Sequence, residues 1–337
     1  MSKSARAIIQ YLIIFAATAL LIWFSLRSLT PPGNDPSADK WSFLVQTWQA
    51  AHKGWLIVMA VVALISHLVR AERWRILIKP SGHQTKLSYS FVSLMVGYLV
   101  NLVIPRGGEF SRCYNLYKLD RTPVETSFGT VVVERVVDVI CLLILVLLSF
   151  LFESEKLFAF IQQLPIAADQ SKLTLAVYFI LFLLLTFAVF VWFYKRNPKF
   201  NSFIRRTWQG FREGLLSVFR LKNKSLFIFY SVLIWVLYFL MSYMVIMAFP
   251  ETSHLGVTAV LSLFAIGSIA MAVPLPGGTG SYHVLVPQGL VFLYAIPMSN
   301  AVAFVFIFHG WQTAIMIAGG AISLLVTSVW VKRKGRD

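Results

Sequence analysis

Long apolar runs are the feature of this sequence that most constrains its fold. A helix needs about 20 apolar residues to cross the hydrocarbon core of a bilayer, and several of the runs reach that length. Because 58% of the 337 residues are hydrophobic and only 13% are charged, a water-soluble fold could not bury this much apolar surface. The sequence therefore predicts an all-α, polytopic integral membrane protein, a helical bundle forming a single domain over residues 1–337. The apolar runs lie at 7–28, 54–78, 87–104, 127–152, 173–194, 225–249, 257–275, 283–297 and 299–331.

The basic residues determine the predicted orientation of these runs. The formal net charge of +16 comes mainly from Lys and Arg in short segments beside the apolar runs, at 70–86, 195–224 and 332–336. Such segments face the cytoplasm, whereas 29–53 and 153–172 are poor in Lys and Arg and are expected outside. This distribution favours contact with anionic lipid and argues against nucleic acid as a partner. We predict a multi-pass protein of a bacterial inner membrane, with both termini in the cytoplasm.

Two segments must enter and leave the membrane on one side. Residues 70–86 are predicted inside and 153–172 outside, so an odd number of crossings must separate them, yet two apolar runs lie between. The count is satisfied if 87–126 dips into the membrane and returns, or if two short helices cross it twice. By the same count, 257–297 leaves and returns on the outer side. We predict about six full spans and two broken, re-entrant hairpins of opposite orientation, with one or two kinked ordinary helices as the alternative.

A helix of another kind is predicted near residues 199–221. Aromatic and aliphatic side chains recur there at helical spacing, opposite a row of arginines. This pattern is typical of an amphipathic helix that lies on the membrane surface. A connector that rests on lipid headgroups accounts for it.

The first predicted hairpin turns at NLVIPRGGEFSR, residues 101–112. Its proline and two glycines break the helix and leave backbone amides available to an anion. Arginine supplies planar donors suited to phosphate or carboxylate. The predicted substrate-binding residues here are Asn101, Arg106, Glu109 and Arg112. The alternative is that Glu109 only neutralises an arginine at a helix end.

Three charged residues lie a few residues inside the cytoplasmic end of the run at 127–152. Glu134 and Asp138 share a helix face, and Arg135 can reach Asp138. Charges at membrane depth are costly, so they are expected to face protein or water and to pair. We predict that these three residues form the floor of the substrate site, with some of them purely structural.

The second predicted hairpin turns at PLPGGTGSYH, residues 274–283. Its glycines permit a backbone to approach a ligand closely. Residues 252–331 include no Asp, Glu, Lys or Arg, so polar contacts in this half depend on uncharged groups and histidines. The predicted binding residues are Gly277, Gly278, Thr279, Tyr282 and His283. His309 is interpreted as a hydrogen-bonded packing residue.

The second apolar run ends in the sequence RAERWR, residues 70–75. Arginines and a tryptophan at the end of a span are typical of an interfacial anchor, and this is the predicted role of the segment. The alternative for Arg73 is direct contact with a lipid headgroup.

The motifs NLVIPRGGEFSR, VVVERVVD and PLPGGTGSYH resemble, in the same order, those of the lysylphosphatidylglycerol synthase transmembrane region family, also described as flippase-like or UPF0104 proteins. The resemblance covers nearly the whole chain and implies a helical membrane domain with broken or re-entrant helices. In bifunctional members this domain is associated with moving an aminoacylated phospholipid between leaflets. The matching residues are Asn101, Pro105, Arg106, Gly108, Glu109, Arg112, Glu134, Arg135, Asp138, Pro276, Gly277, Gly278 and Gly280.

The chain also departs from that family pattern. Many relatives have glutamate at the position of His283, so the identity of the headgroup is not carried over. Bifunctional members have a soluble aminoacyl-transferase domain after the membrane region, whereas only six residues follow the last apolar run here. Synthesis of an aminoacyl lipid is therefore not expected from this polypeptide.

Together these features favour a translocator of a phospholipid or another lipid-linked amphiphile, and not an enzyme. No catalytic residue, metal or cofactor is predicted. The predicted partners are membrane lipids with a phosphate-containing headgroup, and a second copy of the chain or an envelope enzyme is left open. An intramembrane transferase acting on a lipid-linked substrate is the alternative, with Glu109, Glu134 or Asp138 as base. No Asp-x-Asp pair or nucleotide-binding loop supports it. A non-catalytic partner subunit is a further alternative.

Overall fold

The computed structural model describes residues 39–163, 198–273 and 275–334, together with five residues between 20 and 26. The three longer segments are helical apart from their connecting turns. This confirms the predicted all-α class for the part of the chain that is described. Short 3-10 turns lie at Lys79–Ser81, Ser217–Arg220 and Pro276–Gly278.

Ten α-helices follow one another within those three segments. They are α1 (Lys40–Ala50), α2 (Lys53–Ile78), α3 (Leu87–Asn101), α4 (Gly107–Asp120), α5 (Val124–Gln163), α6 (Pro198–Leu216), α7 (Lys224–Ala248), α8 (Val257–Ala272), α9 (Ser281–Tyr294) and α10 (Met298–Lys334).

Four of these helices, α2, α5, α7 and α10, are long and apolar enough to cross a membrane. They correspond to four of the six predicted spans. The other two predicted spans, 7–28 and 173–194, lie outside the described residues apart from a few positions near 20–26. Large apolar side chains line the outward faces of the four long helices, as expected where a helix meets lipid.

Helices α3 and α4 form an antiparallel pair joined by a tight turn at residues 102–106. Each helix spans only about 21–22 Å, at a rise of 1.5 Å per residue. The pair packs closely because two glycines face each other: a Cβ on Gly108 would lie 2.2 Å from the carbonyl oxygen of Gly97. The turn is stabilised by Asn101, whose side-chain oxygen accepts a hydrogen bond from the Gly108 amide at 2.7 Å, one of the free N–H groups at the start of α4. The segment is thus a helical hairpin and not one kinked helix.

Helices α8 and α9 form a second antiparallel pair, interrupted between residues 273 and 280. Gly277, Gly278 and Gly280 all have positive φ, a conformation that glycine adopts without a steric penalty. Ser281 closes the break by donating a hydrogen bond to the carbonyl of Ala270 at 2.7 Å. Proline and glycine therefore break this helix where the sequence predicted.

The two hairpins meet at their turns. Arg106, in the first turn, donates a hydrogen bond to the carbonyl oxygen of Ala272 at 2.8 Å. A Cβ on Gly277, in the second turn, would lie 3.0 Å from Leu102. The turns are thus in direct contact.

The largest apolar core lies among α2, α5, α7, α8, α9 and α10. Helix α6 packs against the start of α5, where a Cβ on Gly214 would lie 2.1 Å from the carbonyl oxygen of Thr126. Its bounds overlap the helix predicted near 199–221, and its position at a membrane surface stays a prediction. The core and the two hairpins together enclose the polar site described next.

Candidate functional site

A buried ionic cluster lies where α2, α4 and α5 pack together. At its centre is Glu134, whose side chain is fully buried. Its Oε2 accepts a hydrogen bond from Arg112 at 2.5 Å, and its Oε1 lies 3.4 Å from Arg73. The Arg112 guanidinium also stacks over the ring of Trp74, 4.7 Å from the ring centroid. Glu134 thus joins the first hairpin to two long helices.

Asp138 continues the cluster one turn further along α5. Arg70 donates to one carboxylate oxygen at 2.6 Å, and Arg73 donates to the other at 2.9 Å. Arg70 also donates to the hydroxyl of Tyr238 on α7 at 2.8 Å, and Arg73 reaches Ser231 on the same helix at 3.3 Å. Two carboxylates on α5 are therefore neutralised mainly by arginines of α2 and α4.

The predicted interfacial anchor at residues 70–75 is wrong for three of its residues. Arg70 and Arg73 are buried in the ionic cluster, and Trp74 is fully buried with its indole N–H donating to Thr130 at 2.9 Å. Only Arg75, paired with Glu72 at 2.6 Å, has the exposed character that was expected. The cause is the rotation of α2, which turns these three side chains toward α5.

Glu109 and Arg135 form a looser pair beside this cluster. Arg135 Nε lies 3.5 Å from Glu109 Oε1, and Arg135 Nη1 lies 3.6 Å from Asp138 Oδ2. Both distances exceed the usual length of a charge-assisted hydrogen bond. The Arg135 side chain is 41% exposed, whereas Arg73 is fully buried. Arg135 is thus the member of the network with the most accessible charge.

Arg106 is separate from the ionic cluster. It is exposed at the hairpin turn, has a positive φ of 57°, and its guanidinium bonds the Ala272 carbonyl. No carboxylate of the described segments lies within ion-pair distance of it. The first hairpin is therefore linked to α5 through Arg112 and Glu109, and not through Arg106.

One cavity of about 490 Å³ connects these groups with the second hairpin. Eight of the twelve residues predicted to bind substrate line it. They are Asn101, Arg106, Glu109, Arg135, Asp138, Gly277, Gly278 and Tyr282. Arg112, Glu134, Thr279 and His283 are not part of its wall.

Three of the four residues outside the wall, Arg112, Glu134 and His283, contact residues next to it. Arg112 and Glu134 make the buried ion pair described above. The Nδ1 of His283 accepts from the Gly280 amide at 3.4 Å, and its ring lies 4.8 Å from that of His309. His309, interpreted from the sequence as a packing residue, lines the cavity and bonds the Gly277 carbonyl through Nε2 at 3.1 Å. That carbonyl can only accept, so Nε2 of His309 bears a proton.

Several polar residues of the wall had not been identified from the sequence, among them His67, Tyr98 and Tyr238. Each lies inside an apolar run, where a single polar residue is a weak signal. His67 precedes Arg70 by one turn of α2, and its ring contacts that of Tyr98 at a centroid distance of 4.6 Å. The available sequence signal was the spacing of one helical turn from His67 to Arg70 and from Tyr98 to Asn101, whereas Tyr238 has no charged or motif residue at such a spacing.

Most of the remaining wall of the cavity is apolar, although Ser268, Gln312 and Thr313 also line it. Leu263, Phe264 and Met271 contribute from α8, and Phe304 and Phe308 from α10. The charged side chains of the wall therefore all come from residues 70–138, whereas α8 and α10 contribute mainly aliphatic and aromatic groups. Among the described residues, no cluster of three His, Cys, Asp or Glu side chains is arranged to hold a metal ion.

Long apolar helices around a charged cavity define a multi-pass helical membrane protein. The sequence matches the lysylphosphatidylglycerol synthase TM region family over residues 8–320, and the chain belongs to that family. This confirms the resemblance recognised from the three motifs.

Two archaeal proteins are among its relatives. A UPF0104 membrane protein of Methanothermobacter thermautotrophicus is 26% identical over 250 residues, which cover 67% of this chain and 72% of the relative. A UPF0104 membrane protein of Methanocaldococcus jannaschii is 32% identical over 87 residues, covering 25% of this chain and 26% of that protein. No solved structure matches the chain. The bacterial inner membrane stays a prediction.

Proposed function

We propose that this protein moves a phospholipid or another lipid-linked amphiphile between the leaflets of its membrane, and that it does so without catalysing a chemical reaction. The single observation that supports this most strongly is the two-sided cavity. Its charged side suits a headgroup, and its apolar side suits the start of an acyl chain. A lipid crossing a bilayer needs both, because an unpaired polar group in hydrocarbon costs several kcal/mol.

The hairpins supply a reason for placing the site near the middle of the membrane. Helices α3 and α4, about 21–22 Å long, are shorter than the roughly 30 Å hydrocarbon core. In this proposal both hairpins are re-entrant, enter from opposite faces and meet at Arg106 and Ala272. Broken helices that meet in this way are a common design of transporter sites. Separation of the two turns on one side would then open the cavity to one leaflet.

A vesicle assay tests the proposal. Purified protein is reconstituted with a trace of fluorescent phospholipid, and a membrane-impermeant quencher reports how much label reaches the outer leaflet over time. We expect faster exchange than in protein-free vesicles. Arg135→Gln should slow it at least about tenfold, the loss expected when one charge-assisted hydrogen bond is removed.

Arg75→Gln is the matched control, because it also removes one arginine charge from an ion pair but lies outside the cavity wall. It should exchange lipid at the wild-type rate. If exchange stays at the protein-free rate for anionic, zwitterionic and cationic lipids alike, translocation is wrong. Formation of a new lipid product in the same vesicles would favour the transferase alternative.

A further inference from the structure

The charges around the cavity are not balanced. The cavity wall and the ionic cluster beside it together contain five arginines, at positions 70, 73, 106, 112 and 135, and three carboxylates, at 109, 134 and 138. When all are ionised, two positive charges remain in excess. Residues 252–331, which form the opposite wall, include no charged side chain that could offset them.

Three of these arginines line the cavity, and the excess positive charge is assigned to two of them, Arg106 and Arg135. Arg70, Arg73 and Arg112 each have a carboxylate within 3 Å. Arg135 has its nearest carboxylate oxygens at 3.5 and 3.6 Å, and Arg106 bonds only a neutral carbonyl. Both line the same cavity. Among the described arginines of the cavity wall, these are the two that have no carboxylate within 3 Å.

Two arginines of the cavity wall have N–H groups that lack a hydrogen-bond acceptor among the described residues. Arg70 is 5% exposed and lines the cavity, and its Nε–H has no protein acceptor among the described residues. The Nε–H of Arg135 likewise makes no hydrogen bond there. A buried donor without an acceptor costs about 1–3 kcal/mol. A multidentate oxyanion is the ligand chemistry that removes this cost for several arginines together.

We propose that the cavity selects lipids whose headgroup has a net negative charge, with the phosphate facing Arg106 and Arg135 and the lipid tails against α8 and α10. This inference rests on the proposed function and adds the charge class of its substrate. A headgroup with net positive charge is disfavoured, because the two excess charges repel it in a medium that screens poorly. Glu109 competes with the phosphate for Arg135 and weakens binding.

The experiment measures binding, which does not depend on transport. Purified protein in zwitterionic nanodiscs is titrated with four lipids that share the same acyl chains: phosphatidic acid, phosphatidylglycerol, phosphatidylcholine and lysylphosphatidylglycerol. Occupancy is read by native mass spectrometry. We expect the affinity to fall in that order, with phosphatidylglycerol bound at least about tenfold more tightly than the lysyl lipid. Equal or tighter binding of the lysyl lipid overturns the inference.

Two variants test the assignment to named residues. Arg135→Gln should weaken binding of phosphatidic acid about tenfold and reduce the preference for anionic over lysyl lipid. Glu109→Gln should strengthen binding of phosphatidic acid, since it frees Arg135 from its competitor. If Glu109→Gln weakens it instead, Arg135 is not the phosphate ligand. A control variant, Lys222→Gln with Lys224→Gln, removes two exposed charges and should leave both affinities within about twofold.

Soluble competitors identify the source of the phosphate. Glycerol 3-phosphate and inorganic phosphate are added to the same titrations. If the site recognises a lipid, neither should displace phosphatidic acid at equal concentration, because neither fills the apolar side of the cavity. Displacement by either identifies a soluble phosphate compound as the ligand and overturns the lipid assignment.

The results separate this inference from the proposed function. Selective binding of anionic lipid by a protein that leaves leaflet exchange at the protein-free rate supports the inference and contradicts translocation. Rapid exchange of all four lipids without any binding preference supports translocation and contradicts the inference about the headgroup charge.

Discussion

The Nη2 atom of Arg112 lies 2.5 Å from Oε2 of Glu134, and both side chains are almost completely buried. This contact ties the first hairpin to the long helix α5. Arg73 of α2 approaches the same carboxylate from the other side. The packing of three helices therefore depends on one negative charge.

Loss of that charge should destabilise the protein strongly. In Glu134→Gln, two buried arginines lose a charged partner, and breaking a buried pair in this way costs about 3–5 kcal/mol. Unfolding of the purified protein in mixed micelles measures the loss. Glu72→Gln is the control, since its pair with Arg75 is partly exposed and should contribute at most about 1 kcal/mol. Similar losses in the two variants would contradict the assignment of Glu134 as a structural centre.

The hairpin between α3 and α4 should not tolerate a methyl group at residue 108. In Gly108→Ala, the new Cβ would lie 2.2 Å from the Gly97 carbonyl, so the two helices must separate. We expect a loss of about 1–3 kcal/mol, typical of overpacking, measured by the same unfolding assay. Gly310→Ala is the matched control, because nothing lies within 4 Å of a Cβ there. It should be neutral or slightly stabilising.

Labelling of single cysteines tests the opposite entry of the hairpins. In a background with Cys113 and Cys141 replaced by alanine, cysteines at Gln84 and Lys118 should react with an impermeant maleimide from one face of the membrane. Cysteines at Ser253 and Met298 should react from the other face. All four positions are exposed, so a lack of reaction reflects sidedness.

A cysteine at Val103, in the exposed turn of the first hairpin, distinguishes the two arrangements left open by the crossing count. A re-entrant hairpin keeps this position away from the face opposite Gln84. Labelling of Val103→Cys from that opposite face would show that α3 and α4 cross the membrane.

Glu153 marks a bend in α5 that should depend on its carboxylate. The backbone there leaves the helical conformation, with φ of −138° and ψ of 41°. The carboxylate accepts hydrogen bonds from Thr258 at 2.9 Å, Ser262 at 3.2 Å and the hydroxyl of Tyr294. Glu153→Gln should cost about 1.5–3 kcal/mol, the worth of hydrogen bonds to a charged group. Glu155→Gln, at an exposed position two residues on, is the control and should unfold like the wild type.

The breaks in both hairpins could be predicted from the sequence because proline and glycine act locally. Gly107 and Gly108 follow shortly after Pro105, and Gly277, Gly278 and Gly280 adopt positive φ, which glycine does without a steric penalty. The ion pair between Arg112 and Glu134 was less accessible, since the two residues are 22 positions apart. The position of Glu134 inside an apolar run indicated that it must form an ion pair. It did not indicate which of several arginines is the partner.

The sequence by itself determined that the chain is helical, lies in a membrane and has two helical hairpins with broken turns. Those properties depend on apolar length and on local backbone chemistry, which can be read along the chain. The tertiary structure alone decided that Arg70, Arg73 and Trp74 face inward and that Arg112 and Glu134 lie outside the cavity wall. The physical reason is helix rotation. Successive residues are turned by about 100° around the helix axis, so a rotation of α2 decides whether an arginine faces the lipid or a buried ion pair. Only the packing of α2 against α5 and α7 fixes this rotation.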